Sequence, residues 1–132
     1  MIDDPLRFLR RAHEALRAAR LLLEAGLPDL AAAPAQIALL ACVRALLSHL
    51  EFVLTDADTL IRTFDQQLVR TGVLPDTLLE PLKAATALRL RADALEEPPL
   101  TAESLEPILE AADLFIVLTG HFLSSPETGE DT

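Results

Sequence analysis

From Ile37 to Leu47 the chain reads Ile-Ala-Leu-Leu-Ala-Cys-Val-Arg-Ala-Leu-Leu, apolar at every position but Arg44. Wound as an α-helix, this stretch is apolar on almost every side and has no face to turn to water. It belongs in the middle of a helical bundle, or between a bundle and a partner. The rest of the chain agrees: it is 51% apolar, rich in Leu and Ala, with no Trp or Tyr and five Phe, which favours helices over strands. The fold class is therefore all-α, and 132 residues suffice for one domain with its own core.

Four more helices follow from punctuation and periodicity. Asp3-Asp4-Pro5 opens the first and Gly26 closes it, with Leu9, Ala12, Leu16, Ala19 and Leu23 as its apolar stripe. The apolar helix comes next, with a predicted start near Ala33 because of Pro34 and an end near Leu54. Asp56 and Asp58 supply capping carboxylates for a short third helix with Leu60, Ile61, Phe64 and Leu68 inside and Gly72 at its end. A fourth helix follows Pro75-Asp76 and runs to about Leu95 on Leu78, Leu82, Ala85, Leu88 and Ala92, with Pro81 marking a break near its start. After Pro98-Pro99, Thr101 to Ser104 launches a fifth whose inner face is Leu105, Ile108, Leu109, Ala112, Phe115, Ile116 and Phe122. Short connections make this an up-and-down bundle of about five helices over residues 1–123, with an expected acidic, disordered tail over 124–132.

A formal net charge of −10 sets the field of the whole chain against polyanions such as RNA. Yet ten of the eleven basic residues are Arg, and most fall in Arg7 to Arg20 and Lys83 to Arg91, so a local basic patch is permitted. Cys42 has no second cysteine for a disulfide or a metal pair, which fits a reducing compartment. The longest unbroken apolar run, Ile37 to Val43, falls short of a membrane span, and no basic-then-apolar leader stands at the start. The expectation is a cytoplasmic protein with no membrane contact.

Chemical signatures are sparse. His13, His49 and His121 fall on three helices, none at metal-ligand spacing, so no metal and no cofactor is expected. Ser48 and His49 are adjacent on a helix and diverge by about a hundred degrees. The carboxylate pairs Glu96-Glu97, Glu103/Glu106 and Asp56/Asp58 lie at helix ends, where capping and solvation account for them. Arg89 and Asp93 share a helix face four residues apart, as an ion pair or as part of an anion-facing site.

The order of segments resembles the HEPN domains, small helical bundles of nucleotide-binding and related roles, in their short stand-alone prokaryotic branch. The resemblance runs through Ala12-His13-Glu14-Ala15-Leu16-Arg17-Ala18-Ala19-Arg20 and on to Gly26, then Val43-Arg44-Ala45-Leu46-Leu47, Phe64 with Leu68-Val69-Arg70-Thr71-Gly72, Arg89 with Arg91-Ala92-Asp93, and Ala111-Ala112-Asp113-Leu114-Phe115. It implies a five-helix bundle that pairs into homodimers. It also implies one of three roles: a metal-independent RNase, a toxin partnered by a nucleotidyltransferase-type protein, or an inert nucleotide- or protein-binding module. Active members cut RNA with an Arg followed after four to six residues by His. Beyond Arg89 those positions hold Ala94, Leu95 and Glu96. Two formal matches elsewhere, Arg44 to His49 and Arg7 to His13, lie on the wrong helices for the family motif. The sequence thus points to a degenerate, non-catalytic member acting through homodimerisation and protein or nucleotide binding. Arg44, Arg89, Arg91 and Asp93 are its candidate anion-binding residues. The alternative is an RNase toxin using Arg44 and His49.

Overall fold

The computed structural model describes residues 4–124; the tail expected to be disordered lies, from residue 125 on, outside the described residues. Five helices follow one another: α1 (Pro5–Glu24), α2 (Pro28–His49), α3 (Ala57–Phe64), α4 (Leu79–Asp93) and α5 (Ala102–Ser124). A π-helical turn, Asp65–Val69, extends α3, and a 3₁₀ turn, Asp76–Leu78, leads into α4. The described residues contain no strand, and the protein is an all-α bundle.

Helix α2 is the hub, in contact with each of the other four. Thirteen of its 22 residues are buried, among them Leu39, Val43, Leu46 and Leu47. Each such side chain contributes about 1.5–3 kcal/mol by leaving water. Phe8 on α1 meets Arg44 on α2, so these two helices form an antiparallel hairpin. Gln36 meets both Thr86 and Arg89, which joins α4 to α2. The start of α2 meets the approach to α5 through Asp29, which accepts from the Leu100 N–H at 3.0 Å. Its end meets the end of α5, where His49 abuts Phe122, so these two helices run parallel. Phe64 and Phe115, both fully buried with ring centroids 5.6 Å apart, join α3 to α5.

The punctuation works largely as the residues dictate. Asp4 caps α1 by accepting from the Leu6 N–H at 3.0 Å, with Pro5 at the first helical position. Asp56 caps α3 through the Thr59 N–H. Thr101 and Ser104 bond reciprocally across the first turn of α5, a capping box with serine in the acidic position.

One boundary departs from expectation. Helix α2 begins at Pro28 rather than Ala33 and carries Pro34 inside it. Pro34 lacks the N–H for the carbonyl four residues back, on Leu30, but Leu30 is 60% exposed and water can satisfy that oxygen. Burial of Ala31, Ala32 and Ala35 holds the first turns on the core. The same helix ends at His49, five residues before Leu54. By length and composition α2 and α5 could each cross a membrane; 67% of the apolar window of α2 and 33% of that of α5 are buried within the bundle.

Candidate functional site

Along α2, three positions spaced by four, Gln36, Leu40 and Arg44, fall on one face, with Ile37 and Ala41 beside them. This face floors an open groove of about 480 Å³ between α1, α2 and α4. Phe8 and, from α3, Leu60 complete its apolar lining, and Thr55 lines it as well. Four arginines reach it: Arg7 and Arg11 from successive turns of α1, Arg44 from α2 and Arg89 from α4. None of the eleven lining residues is Asp, Glu, His or Cys. In a chain with 21 acidic and 11 basic side chains, this is a sharp local reversal of charge.

The two central arginines are held by different means. The Arg44 guanidinium carbon lies 4.4 Å from the centroid of the Phe8 ring, a stacked cation–π contact that leaves the donor edge of the plane for other partners. Arg89 donates from Nη1 to the Gln36 side-chain oxygen at 3.0 Å, and its Nε lies 3.5 Å from Asp93. Asp93 is 64% exposed, so solvent screens that ion pair. At the outer rim Arg11 lies 3.9 Å from Glu14, both about two-thirds exposed, which is a weak attachment.

Of the four candidate anion-binding residues, Arg44 and Arg89 are brought together in the groove, and Asp93 stands behind Arg89. Arg91 does not line it. Its Nη2 donates to the Pro98 carbonyl at 2.9 Å and its Nε lies 3.6 Å from Glu96, so it ties down the loop after α4. His49 is also elsewhere. Its exposed ring stands edge-on to Phe122, 5.6 Å between centroids, in a shallow depression with Asp4, Leu6 and Leu123. Arg44 and His49 therefore open onto different surfaces. Neither the Thr59 hydroxyl nor the Cys42 thiol offers a nucleophile: Thr59 is used in the α3 cap, and Cys42 is buried with its thiol pushed up to about 12 by desolvation. A thiol in that state is unreactive at neutral pH.

Sequence reasoning had not singled out Phe8, Arg11 or Gln36 as site residues, and it met Arg7 only in the formal spacing to His13 and within a basic stretch. The signal for Gln36 was present: it is a lone amide in an apolar helix, two turns from the lone Arg44. Arg7 and Arg11 are likewise four apart on α1, on one face.

No curated protein matches the chain. A family model for the HEPN domain matches residues 6–121, which takes in all five helices up to the last turn of α5. By that match, and in keeping with its five-helix bundle, the chain belongs to the HEPN domain family.

Proposed function

We propose that this HEPN protein is a non-catalytic binding module of the cytoplasm, and that its arginine groove takes a phosphate-bearing ligand of nucleotide size. The observation that carries the reading is the groove lining: four arginines and no carboxylate in a chain of net charge −10. Arginine forks match phosphate oxygens bidentately, and the groove volume of about 480 Å³ suits a small ligand. A small anion is favoured over RNA because a long polyanion would run past the groove onto the acidic surface. The lack of histidine in the lining supports binding over turnover, since RNA cleavage asks for a proton-transferring group beside the phosphate.

The module is proposed to work as a homodimer. Leu114 and Val117 on α5 and Leu21 on α1 are each more than half exposed and supply apolar area for a second copy.

Thermal-shift screening against nucleotides tests the ligand. At one hundred times its dissociation constant a true ligand stabilises the fold by ~2.7 kcal/mol, and Arg44→Ala with Arg89→Ala should remove that shift. Total RNA incubated with the protein in EDTA should stay intact. Cleavage that disappears in His49→Ala would replace this reading with the RNase one.

A further inference from the structure

We infer that Gln36 is the positioning residue of the groove: its buried amide fixes the Arg89 guanidinium in one orientation toward the bound anion. This deepens the proposed function and rests on it.

Gln36 is 8% exposed in the most buried helix of the bundle, where an unsatisfied amide would be costly. Both of its ends are engaged. Nε2 donates to Thr86 Oγ1 at 3.1 Å, and Oε1 accepts from Arg89 Nη1 at 3.0 Å. The Thr86 hydroxyl gives its own proton to the Leu82 carbonyl at 3.1 Å, so toward Gln36 it can only accept. That settles which way the amide faces, with nitrogen to Thr86 and oxygen to Arg89. Leu82, Thr86 and Arg89 fall at four- and three-residue steps on α4, the face turned to α2. The result is a directed chain of donors running from Arg89 through Gln36 and Thr86 into the backbone of α4.

The choice of an amide matters chemically. A carboxylate at position 36 would hold Arg89 equally well but cancel its charge. Gln36 holds the guanidinium without adding a second carboxylate to the solvent-screened one of Asp93, and Arg89 lines the groove. Orienting the fork beforehand lowers the ordering cost of binding.

The test uses the full chain and inorganic pyrophosphate, titrated calorimetrically into four proteins. Gln36→Met keeps the side-chain shape and removes both hydrogen bonds; Gln36→Glu keeps the contact with Arg89 and adds a negative charge. Both should retain the helical fold and weaken pyrophosphate binding by about tenfold or more, close to the loss in Arg89→Ala. In ¹⁵N spectra of the unliganded protein, separate Arg89 Nη resonances should merge in Gln36→Met as rotation is freed. If Gln36→Met binds pyrophosphate like the parent while Arg89→Ala is weakened, the positioning role is overturned and the groove reading stands. If Arg89→Ala also binds unchanged, the groove reading falls and this inference with it.

Discussion

Thr119 carries its hydroxyl into the driest part of the bundle. The residue is fully buried, and its Oγ1 has no hydrogen-bond partner that meets ordinary geometry. Its polar neighbour is the Cys42 thiol, a weak donor at best, and the contact only slightly offsets the burial that raises that thiol. Replacing the hydroxyl by a methyl in Thr119→Val should therefore raise stability by about 1 kcal/mol, read as a higher urea midpoint at unchanged slope. Cys42 itself should resist thiol reagents at pH 8 in the folded protein and react fully in denaturant, because its pKa of about 12 leaves almost no thiolate. At this scale the candidate site was partly legible. Arg44 and Arg89 stood out as cations on apolar helices, but Arg91 looks equivalent to Arg89 in sequence. Only the turn of the chain after α4, which brings the Pro98 carbonyl back to it, separates their roles.

At the scale of the element, three helices end in the same way. After α1, α2 and α4 the chain turns through a left-handed residue, with the next N–H returning five residues to the helix, as in Phe52 to Leu47 at 2.8 Å. Glycine occupies that position only once, at Gly26; the others are Glu51 (φ 71°) and Leu95 (φ 56°). A side chain in this region costs about 1–2 kcal/mol, against about 0.5–1 kcal/mol for the extra freedom of glycine in the unfolded chain. Glu51→Gly and Leu95→Gly should each stabilise the protein modestly, the second also removing an exposed leucine. This is why Gly26 announced its helix end in the sequence while the end of α2 was misplaced. Helix starts were easier, because Asp4, Asp56 and Thr101 cap by side-chain chemistry that residue type reveals. Pro34 misled for a related reason: what makes it tolerable is the exposure of Leu30, which no local pattern encodes.

The α3 cap also carries a pH signature. The Thr59 N–H and hydroxyl both donate to Asp56, at 3.0 and 3.1 Å, and hold its carboxyl below its ordinary value of 3.8. A carboxyl depressed by folding adds stability that is present above the unfolded value and is lost as pH falls through the folded one. The loss therefore belongs below about pH 4. Asp56→Asn still caps but does not titrate, so its unfolding midpoint should depend less on pH in that range than the parent's.

For the molecule as a whole, the fold was legible because its constraint is global and simple. One helix apolar all round demands a surrounding bundle, and α2 occupies the hub for that reason. The groove was not legible, because it is assembled from α1, α2 and α4 and exists only once α2 brings their arginines together. Its field is local. With a screening length of about 8 Å at physiological salt, the groove arginines would act only on the proposed ligand in contact, while the net charge of −10 governs approach from farther out. Leu46 and Leu47 lie behind this surface in the core, and truncating either to Ala should cost about 2–5 kcal/mol without selectivity for ligand binding. The groove is proposed to bind a phosphate-bearing anion through Arg44 and Arg89 and to leave it unchanged. Calorimetric titration of a nucleoside triphosphate into the parent and into the Arg44→Ala/Arg89→Ala variant, with recovery of the ligand afterward, tests it most directly. Saturable binding in the parent alone, weakened by added salt and with the triphosphate recovered intact, is the predicted result. Equal heats in both proteins, or a triphosphate recovered as cleaved product, would contradict it.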